Sequence, residues 1–469
     1  MKKTGLFKII MFILFAIVIL TWIFPASIFD SGSLSEVGMY RIGFFDFFQL
    51  LFGAFEFQYF LQIIIFLLSV GALYGVLGKT GKYRAWIEKI ANNLKGNEFV
   101  FLIVVAVVLT VITSIFDYGF LPFIFIPFLI SIILTMGYDK VTACLVTLGS
   151  IMIGTMGSTI GYNMAGVVSE ILETDVKTGL YFKIGILVLS LIALIFYLSK
   201  VKRRSIKKTE ETKELAEEDM FIGDKISNKY SVTSIIVVFG LLFVLLVLGC
   251  TNWQLTFGIT AFTELNTKIT EFTIGDFQIF KYLLGTVNAL GNWHYAEMAV
   301  MCLLATLLLG RLYRMKHRDM FEYMINGAKK MLIPAGTVVF AYTVIYFAGN
   351  TMFFPTIAQH IIGLTDKFNA FLSTITMFLG SILHVDMLYV ANYVIPQLAA
   401  QDVSVTAMTI LTQGIYGATM FIAPTSATLV LGLSYLGIPY KEWIAKTWKL
   451  AATFFLIVIV ALFVALLIA

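Results

Sequence analysis

Two carboxylates stand in stretches that are otherwise apolar. Asp117 lies in "SIFDYGF" (114–120) and Asp386 in "ILHVDMLY" (382–389), each between strongly hydrophobic runs. A carboxylate at bilayer depth costs roughly 2.5–3.5 kcal/mol even on the lenient insertion scale, so it marks an ion, proton or substrate path. The competing arrangement is a hairpin whose arms, each about 18 residues, just cross the bilayer and leave the acid solvated at the interface. The sequence leaves both open. His384, two residues before Asp386, carries a side chain that exchanges protons near neutral pH, and a packed or interfacial role suits it equally. His294, His317 and His360 fall at the ends of apolar runs and gain no special weight.

A second set of residues is polar without being charged. "IMIGTMGSTIGYNMAG" (151–166) packs glycines, hydroxyls and Asn163 into a membrane-type run, and "FIAPTSATL" (421–429) does the same near the other end of the chain. By position Gly157, Ser158 and Thr159 answer Pro424, Thr425 and Ser426. Backbone broken at membrane depth is tolerated only where protein or a watery cavity satisfies it. The half-helix ends then offer free N–H groups to anions or free carbonyls to cations. One such stretch alone could be a packing face, because small residues let helices approach closely. Two at corresponding positions argue for a pair of broken helices around a binding site.

The elements that must carry these residues are membrane spans. The chain has 469 residues, 59% of them hydrophobic and 13% charged, with a mean hydropathy of +0.91. No soluble core hides that much apolar surface, so the lipid bilayer is the solvent. The net charge of +5 is no nucleic-acid signal, because the basic residues lie in loops that flank spans. Cys144, Cys250 and Cys302 fall in apolar runs without metal or redox spacing and read as small hydrophobes. Met1–Ala26, with Lys2, Lys3 and Lys8, mimics a secretory signal but is long enough to span, and is expected to be a retained first helix.

Lys and Arg cluster in 78–98, 200–208, 311–330 and 440–449. The positive-inside rule puts these loops and the N-terminus in the cytoplasm of a cell inner membrane. Spans are then expected near 6–26, 58–78, 181–199, 231–250, 294–312, 331–349 and 447–468. Interrupted hairpins fall at 99–136 and 367–400, and broken spans near 141–172 and 404–436. Stretches 43–57 and 351–365 read as interfacial arms, by analogy those of a homodimer. The order of elements repeats from the opposite side of the membrane. This gives a first inverted repeat (1–199), a charged cytoplasmic linker (200–230), a connecting helix (231–250), an external segment with an interfacial or re-entrant part (251–293) and a second repeat (294–469). Such all-α, polytopic, inverted repeats are common in secondary transporters.

"GYDKVTACLVTLGSIMIGTMGSTIGYNMAGVV", "IAPTSATLVLGLSYLGIPYKEWIAK" and "GALYGVLGKTGKYRAWIEKIANNLKG" resemble the signatures of the YfcC-like C4-dicarboxylate anaerobic carrier family of the ion transporter superfamily. The run PTSxxLxxGLxxxGIPYxxW is the most specific part. The resemblance implies an inverted-repeat secondary carrier with two re-entrant hairpins and two broken helices around its substrate. It carries a substrate-binding role onto Gly157, Ser158, Thr159, Asn163, Pro424, Thr425 and Ser426. The hairpin tips depart from the family pattern, with Asp117-Tyr118 in one and His384-Val385-Asp386-Met387 in the other.

No Arg or Lys falls in the middle of an expected span, so a dicarboxylate would rest on hydroxyls, amides and half-helix ends alone. Two intramembrane aspartates favour coupling to Na⁺ or H⁺, with Asp117, Asp386 and His384 as the coupling groups, or a substrate that bears an amine. The expectation is a cation-coupled carrier or exchanger of small carboxylates or amino acids working by alternating access. Beyond Na⁺ no metal or cofactor is expected. A Na⁺/H⁺ antiporter with the two aspartates as its whole site is the alternative. An intramembrane enzyme is remote, since HExxH, GxSxG and GxGD are missing, and GxxxxGK[ST] is absent, which excludes ATP-driven pumping by this chain alone.

Overall fold

A helix needs about 18–20 residues, at 1.5 Å each, to cross the hydrocarbon core. In the computed structural model, which describes residues 5–30, 32–201, 219–223, 230–285 and 287–468, eight helices meet that length with suitably apolar sequence. They are Leu6–Ile23, Gln58–Lys79, Glu98–Phe116, Leu180–Ser199, Thr233–Cys250, Tyr295–Leu312, His317–Thr351 and Tyr440–Ile468. Their outer faces present large apolar side chains, for example Phe12, Phe196 and Leu456, as lipid contact requires. The protein is an all-α polytopic membrane protein.

At its centre Gln58–Lys79 crosses the 35-residue helix His317–Thr351. Gly71 and Gly75 form a small-xxx-small face against Gly327. A Cβ at Gly327 would lie 2.2 Å from the Gly71 carbonyl oxygen, and one at Gly75 2.3 Å from that of Tyr323. The two backbones therefore touch, a packing that only glycine allows.

Each half then repeats one order: a central span, a short amphipathic helix (Lys82–Asn93; Phe354–Ile362), a hairpin, a broken helix and a full span. In the first hairpin Glu98–Phe116 is followed after the tip by Leu121–Thr135, and in the second Ala370–Leu383 by Met387–Ala399. The first broken helix runs from Lys140 to Met156, opens at 157–161 and resumes over Tyr162–Ile171. The second runs over Val405–Met420 and resumes at Ala427–Leu436.

Several expectations change at this level. The basic stretches 78–98 and 311–330 are not loops throughout, since Lys82–Asn93 is helical and the long central helix already begins at His317. Segment 27–57 holds a two-stranded hairpin, Ala26–Asp30 with Ser33–Gly38, before the amphipathic helix Phe44–Glu56. Stretch 351–365 holds the helix Phe354–Ile362, whose Phe354, Thr356, Ala358 and Ile362 are buried in this same chain. The linker 200–230 mostly lies outside the described residues, yet Asp219, Phe221 and Ile222 within it are buried.

Candidate functional site

The breaks and the hairpin tips meet. Asp117 ends the first arm in the left-handed region (φ 55°), a conformation aspartate tolerates better than most residues. Three residues earlier the Ser114 carbonyl accepts the Thr159 N–H at 2.9 Å and the Thr159 hydroxyl at 3.1 Å. The Ser114 hydroxyl donates in return to the Gly157 carbonyl at 2.8 Å. The second half repeats the clasp, with the Thr425 hydroxyl donating to the Ile382 carbonyl at 2.9 Å. Each hairpin tip therefore sits at the level where its broken helix opens, midway through that helix. This geometry supports re-entry and not a full crossing.

The broken backbone is satisfied by side chains. Trp443 Nε1 donates to the Phe421 carbonyl at 3.1 Å, and the Tyr440 hydroxyl to the Ile422 carbonyl at 2.6 Å. The run from PTS to GIPYxxW is thus a break together with the residues that satisfy its carbonyls. Across the halves, Gln413 Nε2 donates to the Ser158 carbonyl, and a Cβ at Gly417 would fall 2.3 Å from the Met156 Cα. The two broken helices cross in backbone contact.

Between the tips lies a cavity of about 780 Å³. Its walls include Asp117, Asp386 and Glu170, polar Asn163, Ser426, Thr428 and Asn392, and a ring of tyrosines: Tyr59, Tyr118, Tyr162, Tyr295, Tyr342, Tyr389 and Tyr416. No Lys or Arg lines it among the described residues. It reaches Phe57, Cys250 and His294, at helix ends remote from the basic loops, and so extends toward the face opposite them. Asp117 is buried with one carboxylate oxygen, Oδ2, unpartnered among the described residues. Asp386 accepts the Leu388 N–H at 3.0 Å and so caps the hairpin's return arm. Asn163 reaches the cavity and donates to the Asp117 carbonyl at 3.3 Å.

Of the residues singled out from sequence, Asp117, Asp386, Asn163 and Ser426 line this space. Gly157, Ser158, Thr159, Pro424 and Thr425 do not. Gly157 packs on Leu187, where a Cβ would meet that residue's Cβ at 2.7 Å, and the hydroxyls of Thr159 and Thr425 are spent on hairpin carbonyls. Nor does His384 line the cavity. Its ring lies between Phe354 and Tyr393, at 5.6 and 5.2 Å, with Nδ1 3.2 Å from the Gly380 carbonyl. The tyrosines, Glu170 and Gln413 escaped the sequence reading. Nothing local marked Gln413 or the tyrosines.

Two broken helices and two hairpins around an organic-sized cavity define a membrane transporter. The chain belongs to the C4-dicarboxylate anaerobic carrier family, whose model matches residues 4–467. It is 25% identical over 295 residues to the "Putative basic amino acid antiporter YfcC" of Escherichia coli strain K12, covering 61% of this chain and 52% of that protein. An uncharacterized Haemophilus influenzae protein is 26% identical over 137 residues, 29% of this chain and 27% of that one. The matched region thus spans about half of YfcC and about a quarter of the Haemophilus protein. Two solved structures are also similar. The YdaH transporter of Alcanivorax borkumensis is 14% identical with a TM-score of 0.43, over 97% of both chains. MtrF of Neisseria gonorrhoeae is 11% identical with a TM-score of 0.41, over 97% of this chain and 94% of that one.

Proposed function

We propose that this protein is a cation-coupled carrier or exchanger of small amino-group-bearing substrates, with a cationic amino acid favoured, and that it works by alternating access. The observation that carries the reading is the cavity wall: Asp117, Asp386 and Glu170 with tyrosine faces, and no Lys or Arg among the described residues. The buried Asp117 carboxylate, with one oxygen unpartnered among the described residues, calls for a positive partner, and aromatic faces add cation–π attraction for an ammonium or guanidinium. The name of the Escherichia coli relative, a basic amino acid antiporter, points the same way. A dicarboxylate in the same cavity needs Na⁺ at the aspartates first, and the family description keeps that as the second reading. A bare Na⁺/H⁺ antiporter has no use for a cavity of about 780 Å³. The basic face is taken as cytoplasmic, with the chain in a cell inner membrane. Its cavity then opens outward.

The test is thermal unfolding of the purified protein with arginine, lysine, glutamate, succinate and Na⁺, followed by counterflow in proteoliposomes. A ligand at about 100 times its Kd stabilises by about 2.7 kcal/mol. Stabilisation and counterflow with arginine or lysine are expected. Stabilisation by succinate plus Na⁺, with none by arginine or lysine, rejects the cationic substrate.

A further inference from the structure

A chain of aromatic contacts runs on from the cavity wall, and the last ring in it comes from the linker. Phe120 and Leu121 form part of the cavity wall. Phe123, one turn further on, meets the Tyr435 ring edge-on at 5.5 Å. Tyr435 is then covered by Phe221 at 6.1 Å, and Phe221 packs on Tyr74 at 5.6 Å. Phe221 and Ile222 are each 2% exposed, although they follow a strongly charged stretch of sequence.

The seating is specific. Gly223 has φ 72°, and a Cβ there would fall 2.3 Å from the Gly78 carbonyl oxygen. Only glycine fits, on both counts. Lys330 donates to the Met220 carbonyl, and its ammonium lies 5.4 Å from the Phe221 ring centre. Arg84 reaches the Gly223 carbonyl at 3.5 Å, and the buried Asp219 accepts the Phe221 N–H at 2.9 Å, which fixes the turn.

These contacts fall on two groups of elements. Tyr74, Gly78, Arg84 and Lys330 belong to the crossed central helices and their neighbour, whereas Tyr435 belongs to the second broken helix, whose Ser426, Ala427 and Thr428 line the cavity. We infer that Asp219–Gly223 is a strap that seals the basic-face route to the cavity, and that it is withdrawn each time that face opens. The strap rests on the alternating-access reading above. It joins the central helices to the second broken helix, so the opening equilibrium includes the cost of unseating Phe221.

The experiment needs no transported substrate. Cys144, Cys250 and Cys302 are replaced by alanine and a single cysteine is placed at Ser131, which is buried against Asp219 of the strap, so that every ring in the stack is kept. In lipid nanodiscs its rate of reaction with a membrane-impermeant maleimide is compared with and without Phe221→Ala. Gly223→Ala, which unseats the strap by a different contact, is the second variant. Loss of a buried aromatic from one side of an opening equilibrium predicts labelling faster by roughly tenfold or more in either variant. Equal rates in all three proteins overturn the strap. A parent that labels slowly yet carries no arginine strikes the substrate reading alone, and the labelling comparison stands.

Discussion

Gln413 donates its side-chain amide to the carbonyl of Ser158, a residue 255 positions earlier in the chain. The bond joins the first half of one broken helix to the open turn of the other, directly beside the Met156–Gly417 crossing. Replacing Gln413 by Leu keeps the bulk but strands a buried carbonyl, which costs about 1–3 kcal/mol. The expected outcome is a lower unfolding temperature together with slower counterflow. Unchanged unfolding and transport would show the bond to be idle.

The hydroxyls of Thr159 and Thr425 are clasps between break and hairpin, so their loss acts through hairpin position. Thr159→Val with Thr425→Val removes two hydrogen bonds worth about 0.5–1.5 kcal/mol each, and lower thermal stability is expected from the pair. Ser426 reaches the cavity and also caps Ala427–Leu436 by accepting the Leu429 N–H, so Ser426→Ala is expected to weaken substrate binding and to lower stability by about 0.5–2 kcal/mol. Ligand-dependent thermal shifts separate the two effects. The assignment fails if the double threonine variant unfolds like the parent.

Asp117 and Asp386 share the cavity from opposite hairpins. Asp→Asn at either keeps the shape and removes the charge, at a cost of roughly 1.5–3 kcal/mol for a charged hydrogen-bonded contact, which is about 10- to 150-fold in cation affinity. Uptake driven by an imposed Na⁺ or H⁺ gradient should collapse in proteoliposomes, while exchange down the substrate's own gradient persists at raised substrate. Normal gradient-driven uptake by both variants would remove them from the coupling mechanism.

Topology is open to direct labelling. With the basic face cytoplasmic, a cysteine at Ser33 or Thr263 should react with an impermeant maleimide in whole cells, and one at Lys200 should react only after the cells are opened. The reverse pattern would invert the protein in its membrane.

At the basic face Lys446 donates to Asp139 at 2.8 Å, and Asp139 also caps Lys140–Cys144 through the Thr142 N–H at 2.8 Å. Burial by itself raises the Asp139 pKa, but bonds from Lys446 and Thr142 outweigh it and hold the carboxyl below its usual value. A depressed folded pKa contributes stability that is present above the unfolded value, about 3.9, and is lost as pH falls below it. Lys446→Met should therefore lower stability at neutral pH by no more than about 1 kcal/mol, as for other half-exposed pairs. The difference from the parent should vanish in acid, which unfolding at both pH values will read.

How much was legible beforehand follows from the range of each interaction. A span declares itself through its own composition, because lipid on one face and the bundle on the other both call for apolar side chains. Seven of the eight long helices, the two hairpin tips and both breaks could therefore be placed from local sequence, while Glu98–Phe116 read as a hairpin arm. The charge of Asp117 and Asp386 was likewise visible against an apolar background. What a hydroxyl in a break bonds to depends on which carbonyl lies beside it. Thr159 and Thr425 looked like substrate ligands until the hairpin carbonyls of Ser114 and Ile382 were seen in front of them. Tyrosine in a membrane protein is also equally at home at an interface, in a core or along a cavity wall. The ring of tyrosines around the cavity draws on both halves of the chain, and no local window contains that information. The burial of Phe221 was hidden for the same reason. Its neighbours Tyr74 and Tyr435 come from opposite halves, and a charged linker sequence carries no mark of the groove that folding builds for one of its segments.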